Sequence, residues 1–250
     1  RISNALHIPH VVRSTLCKGR LVGTKFRHLT SLSSSVKEQT GDNSSKSKGA
    51  KTPAELLAMD LPSNEDNENL LKIRHSSAHV MAMAVQKVFP HAKVTIGPWI
   101  DNGFYYDFDV PGEPISVDDL KKIKKEMEKI IKSDLPLVRE EVSRDEARQR
   151  IEKLGEPYKL EILDSIKTEP ITIYRVGEEW WDLCAGPHVE STGELNARAI
   201  ELQSIAGAYW RGDENNAMLQ RIYGTAWEQP EQLKSFKLKL EEAKKRDHRV

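Results

Sequence analysis

The chain has 250 residues, 38% apolar and 30% charged, with a formal net charge of zero and a mean hydropathy of -0.58. That is enough apolar material for one large or two modest cores. No run approaches the ~20 consecutive apolar residues of a membrane-spanning helix, so no membrane partner is expected. The zero charge is a sum of unequal parts: residues 1–51 hold ten lysines or arginines against only Glu38 and Asp42, which leaves the remainder acidic by eight.

No acidic residue precedes Glu38, and the opening segment is rich in Arg, Lys, Ser and Thr. That composition predicts a disordered transit-peptide-like leader over 1–50, for chloroplast, mitochondrion or both. A basic nucleic-acid-binding arm has a similar composition and would leave the protein cytoplasmic. The first residue is Arg1, so a start further upstream is expected. Residues 51–67 are polar and read as a flexible linker. Cys17 and Cys184 lie far apart in unlike surroundings, which argues for a reducing compartment rather than a disulfide scaffold.

From Glu68 to Phe89, Leu70, Ile73, Ser77, Met81, Val85 and Val88 recur at helical spacing and Pro90 follows, predicting one long buried helix. Two β-rich stretches flank Asp101-Asn102-Gly103, whose Asn-Gly pair suits the positive φ angles of a tight hairpin. Residues 117–132 carry an apolar stripe of Leu120, Ile123, Met127 and Ile130 or Ile131, with Asp118 and Asp119 in the first turn, and predict an amphipathic surface helix. A strand at 137–142 and a helix at 144–154 follow, the latter with Ser143 and Glu146 spaced as a capping box. Segments 171–176, 179–183, 200–210 and 219–227 read as strands, and 229–246 as a final helix on Leu233, Phe236, Leu240 and Ala243. The expected class is α+β: a mixed or antiparallel sheet around a long buried helix, with amphipathic helices at the periphery.

Four residues suggest chemistry. His75 and His79 are one turn apart on the buried helix, with Cβ atoms ~5 to 6 Å apart on one face. Cys184 and His188 are separated by Gly186-Pro187, a turn able to aim thiol and imidazole at one point. Helical histidine pairs usually make local hydrogen bonds, and such a set can also be a purely structural knot. If the motifs meet, the set can hold Zn²⁺ and activate water, or a neutral histidine can act as a base without metal. Spacing does not choose between these. There is no phosphate-cradling loop or dinucleotide fingerprint.

In this order the chain contains RHSSAHV (74–80), IGPWIDNGFYYDFD (96–109), GEPYK (155–159), DLCAGPHV (182–189), AGAYWRGDENNAMLQRIYGTAW (206–227) and EEAKKRDHR (241–249). Together these resemble the editing domain of threonyl-tRNA synthetases across residues 68–250; alanyl-tRNA synthetase editing domains share the paired His and Cys-His motifs. The resemblance implies a proofreading domain at 68–228 and a helix at 229–250 leading toward a class II catalytic core. That core, which in the family joins threonine to tRNA using ATP, is absent from the sequence, and so is the small β-grasp domain that precedes the editing domain in many members. The implied reaction is hydrolysis of serine wrongly attached to tRNA(Thr), because a threonine pocket rejects the smaller analogue by only ~1 to 3 kcal/mol.

By motif matching, the resemblance implies that His75 with Lys159 activates the hydrolytic water, with no cofactor required. His79, Cys184 and His188 would then shape the pocket, with a capacity for zinc. Tyr106 would contact the terminal adenosine, although a core position suits it equally, and Asp182, costly to bury without a cation, would take the seryl ammonium. Arg211 and Arg221 would contact tRNA phosphates, or else be paired within turn and strand structure. The parent enzyme is expected to dimerise through its core, leaving this part monomeric. Two other readings are a tRNA-binding module without catalysis and a free-standing zinc-dependent deacylase of the alanyl type.

Overall fold

A computed structural model describes residues 50–247. The expected leader therefore lies outside the described residues, apart from Ala50. Within them the chain is α+β, as expected, with two antiparallel sheets and six α-helices. The larger sheet joins β1 (Lys93–Val94), β3 (Gly103–Asp109), β8 (Met218–Ala226) and β7 (Ile200–Tyr209) in that order, with β2 (Trp99–Ile100) also paired to β3. The smaller sheet has the order β4 (Leu137–Val142), β5 (Ile171–Val176), β6 (Trp180–Leu183).

The long helix α2 (Glu68–Val88) starts where the Asn67 side chain accepts from the Leu70 N–H. Every residue from 73 to 85 is buried, polar ones included. The helix is enclosed rather than half-exposed because strands β3 and β8 and helix α3 (Asp119–Lys132) all pack on it. Serines and alanines at 76, 77, 78, 82 and 84 allow that close approach. Phe104, Tyr106 and Phe108 are fully buried. At about 1.5–3 kcal/mol per large apolar side chain, such burial is the main force holding helix to sheet. Helix α3 buries the predicted stripe of Leu120, Ile123, Met127, Ile130 and Ile131.

Several expectations need correcting. The β2–β3 hairpin is present, with Ile100 opposite Gly103, but the left-handed backbone expected of Asn102-Gly103 is not: neither residue is among those with positive φ. Gly103 is required for proximity instead, since a Cβ there would sit 2.1 Å from the Gly224 carbonyl oxygen. In α4 (Arg144–Leu154) only half of the capping box forms. Ser143 caps the Glu146 N–H, while the Glu146 carboxylate turns to Arg150 at 2.5 Å.

The segment expected to be a flexible linker contains α1 (Pro53–Leu57), closed by a Thr52–Glu55 capping box. It docks on α6 (Pro230–Asp247): Ser235 Oγ donates to the Leu56 carbonyl and Lys239 Nζ to that of Met59, each at 2.6 Å. Leu61 packs with Leu70, Trp227 and Leu233. Too few apolar residues occur in 51–67 to form a core of their own, and α6 supplies the missing surface. Of the α6 stripe, Leu233 is buried and Leu240 exposed. The last unforeseen element is α5 (Pro157–Ser165), which opens with proline in its first turn and carries Lys159.

Candidate active site

The two predicted motifs do meet. Helix α2 holds His75 and His79 with ring centroids 5.1 Å apart, and the turn after β6 brings Cys184 and His188 against them. One potential ligand atom from each of the four lies within 4.8 Å of every other. Gly186 has φ +78°, and a Cβ there would come within 2.5 Å of the Tyr174 hydroxyl, so this turn needs glycine both for its backbone and for space.

One hydrogen bond specifies the His75 tautomer. His75 Nδ1 lies 3.0 Å from the Pro187 carbonyl, which can only accept, so Nδ1 carries the proton and Nε2 a lone pair. Cys184 Sγ sits between His75 Nε2 at 3.3 Å and His188 Nε2 at 3.2 Å. Ser76 Oγ accepts from the Val189 N–H and shares a hydrogen bond with His188 Nδ1 at 3.0 Å. The contacts form a continuous chain from Ser76 through His188, Cys184 and His75 to Pro187.

Burial sets the charges. It lowers His75 to about 4 against the Pro187 hydrogen bond, which acts the other way, and lowers His188 to about 2, helped by His75. His79 is pushed well below its usual range by burial and by its imidazole and Lys159 neighbours. Burial raises the Cys184 thiol to about 12 despite a hydrogen bond from the Gly186 N–H. At neutral pH the four groups are therefore three neutral imidazoles and a thiol, which favours a lone-pair base over a thiolate nucleophile.

Behind His79 lies a charged group. Lys159 Nζ donates to Asp182 Oδ1, to the Thr95 carbonyl at 2.6 Å and to Tyr106 Oη at 3.1 Å. Tyr106 donates to Asp182 Oδ2 at 2.5 Å, and burial, then Asp182, holds the phenol well above its usual range. His79 Nε2 stands 3.8 Å from the same carboxylate. The cation expected to come from substrate is thus already present as Lys159. All three Lys159 protons are engaged within this group, and no hydrogen bond joins Lys159 to His75 among the described residues.

Lys159 and Asp182 also line a cleft of about 350 Å³ with Gln86, Glu156 and Trp180. None of the four His and Cys residues lines it. The site is therefore defined by the cluster's geometry, and the cleft reaches only its far wall.

The arginines stand elsewhere. Arg221 makes a two-pronged contact with Asp107 at 2.7 and 2.8 Å and covers the Tyr105 ring at 3.9 Å. Tyr105 and Asp107 alternate with Tyr106 along β3, so Arg221 faces away from the site. Arg211 lies on Trp210 and donates to the Glu161 carbonyl. For both, the paired alternative describes the structure. Sequence reasoning missed Ser76 and Glu156, although both sit inside quoted motifs, RHSSAHV and GEPYK.

The donor set fits zinc. A tetrahedral ion with N and S ligands separates them by ~3.5 Å, close to the spacings around Cys184, and His79 Nδ1 is buried without a partner. The cluster can hold a metal ion.

Residues 171–223 match the family model described as threonyl and alanyl tRNA synthetase second additional domain. The match spans Asp182, Cys184 and His188, while His75, His79, Tyr106 and Lys159 precede it. The chain is also 69% identical over 196 residues to "Threonine--tRNA ligase, chloroplastic/mitochondrial 2" of Arabidopsis thaliana, covering 78% of this chain and 30% of that protein. It is 67% identical over 192 residues to a Synechococcus elongatus threonine--tRNA ligase, covering 77% and 32%. A Synechocystis ligase is 64% identical over 200 residues, covering 80% and 33%. The chain spans about a third of the length of these curated relatives.

Proposed function

We propose that this chain is an editing module that hydrolyses the ester of serine attached to tRNA(Thr). The observation carrying the reading is His75, neutral at pH 7 and oriented by Pro187 so that the Nε2 lone pair faces the cluster. A water molecule takes the place of the Cys184 thiol at His75 Nε2 and attacks the seryl carbonyl carbon while Nε2 takes its proton. The tetrahedral adduct then collapses, breaking the bond to the ribose oxygen, which leaves with that proton, and free serine is released. Asp182, fixed by Lys159 and Tyr106, supplies negative charge toward which the seryl ammonium docks by sharing the carboxylate. Lys159 acts by holding that carboxylate. Tyr106, fully buried, serves the same function through its bond to Asp182 Oδ2. The parent protein ligates threonine to tRNA with ATP in a separate core and acts in an organelle, a reading supported by the Arabidopsis relative's name.

Purified protein given serine-charged and threonine-charged tRNA(Thr) releases serine only, and His75→Ala abolishes the release. Full activity in that variant would remove His75 from the mechanism. A second reading, a zinc-dependent deacylase, is favoured by the unpartnered His79 Nδ1. In that case His75, His79, Cys184 and His188 would hold the ion, which would supply an activated water. Metal analysis and turnover in EDTA separate the two: metal-independent release supports the histidine base.

A further inference from the structure

Glu156 is 6% exposed, acidic, and absent from the mechanism above. It occupies the N-cap position of α5, without a side-chain capping bond, three residues before Lys159, whose N–H donates to the Glu156 carbonyl at 3.1 Å. Both of its carboxylate oxygens are in use: Oε1 accepts from Gln86 Nε2 at 2.9 Å and Oε2 from the Val94 N–H at 3.2 Å. Gln86 in turn accepts from Trp180 Nε1 at 2.7 Å and donates to the Ala92 carbonyl at 3.1 Å.

These contacts converge on the supports of Lys159. Glu156 grips the peptide of Val94, and Lys159 donates to the carbonyl of the next residue, Thr95. Trp180 stands two residues before Asp182 on β6, so the Gln86 bond anchors the strand that delivers the carboxylate. The four segments that define the Lys159–Asp182 pair, namely α2, β1, α5 and β6, are thus joined through one buried carboxylate.

We propose that Glu156 is a positioning residue for the editing reaction, fixing Lys159 through helix α5 and strand β1. This rests on the deacylase reading above. Burial raises its carboxyl, with Gln86 and Lys93 opposing the shift. Glutamine at 156 sets an N–H₂ donor against the donor of Gln86 or Val94, so one bond is lost at nearly constant volume.

The test is a double-mutant cycle in the full chain with serine-charged tRNA(Thr). Glu156→Gln is expected to lower kcat/KM roughly 10- to 100-fold with KM raised, because the displaced Lys159 holds the carboxylate that docks the seryl ammonium. In a Lys159→Met background the same change is expected to have no further effect on the residual rate. Losses that multiply across the two backgrounds, or unimpaired turnover in Glu156→Gln, would overturn the proposal. Gln86→Leu removes the other end of the bridge and is expected to behave alike, so it decides the matter if Glu156→Gln does not fold. A second readout does not need turnover. In the ¹⁵N-lysine spectrum the hydrogen-bonded Lys159 ammonium should lose exchange protection in either variant, and an unchanged signal would overturn the proposal. A wild-type chain that releases no serine counts against the deacylase reading alone.

Discussion

His75 and His188 lie nearly face to face, with ring centroids 4.0 Å apart, planes 28° from parallel, and the Cys184 thiol between their Nε2 atoms. Two stacked imidazoles this close tolerate at most one positive charge, and burial removes even that at neutral pH.

Acid should therefore unfold the protein early. His75, His79 and His188 all have folded-state affinities for protons below the unfolded value near 6.5. Their neutral forms favour the native state fully above about pH 6.5. As pH falls below that, the unfolded chain takes up protons first and stability drops, by up to about 1.4 kcal/mol per pH unit per imidazole. For His75 the loss levels off near pH 4. Thermal melts in EDTA from pH 7.5 to 4.5 should show a progressive fall in Tm, and a flat profile would contradict neutral burial of the cluster.

Lys159→Met should be severe for stability as well as turnover. It leaves Asp182 buried with only the Tyr106 hydroxyl and nearby His79, and breaking a buried pair costs about 3–5 kcal/mol. Adding Asp182→Asn should recover a large share of this. Urea denaturation of the two variants measures it. Equal stability of single and double variants would show that the pair is not coupled.

Cys184 should be inert in the metal-free protein. A thiol raised to about 12 offers little thiolate at pH 8, so alkylation by iodoacetamide, followed on the peptide by mass spectrometry, should be on the order of 10²–10³ slower than for a free thiol. Alkylation at the ordinary rate would mean that the cluster environment favours thiolate.

Gly97→Ala should disturb the site without touching a charged group. Its Cβ would fall 2.0 Å from Tyr106 Cδ2, and a buried aromatic ring has nowhere to go. The expected cost is about 1–3 kcal/mol, with reduced serine release from a displaced phenol. Wild-type stability and rate together would show that the ring can yield.

Periodicity made α2 and α3 legible, and residue chemistry picked out His75, His79, Cys184 and His188. Partnership was harder to read. Asp182 was recognisable as needing a cation, but Lys159, 23 residues away on a helix of only nine residues, is joined to it by tertiary packing that leaves no local pattern. The same holds for Arg221, whose commitment to Asp107 comes from the pairing of β3 with β8. For Gly103 the local signal misled, because an Asn-Gly pair normally reports turn geometry and here the glycine answers to a strand far along the chain.

The clasp between α1 and α6 has a mechanical corollary. The segments through which the backbone enters and leaves the described unit are bolted side by side by Ser235 and Lys239. A load on either segment is therefore shared with the other through those two bonds. The hydrogen-bonded chain from Ser76 to Pro187 lies on α2 and the turn after β6, outside that clasp.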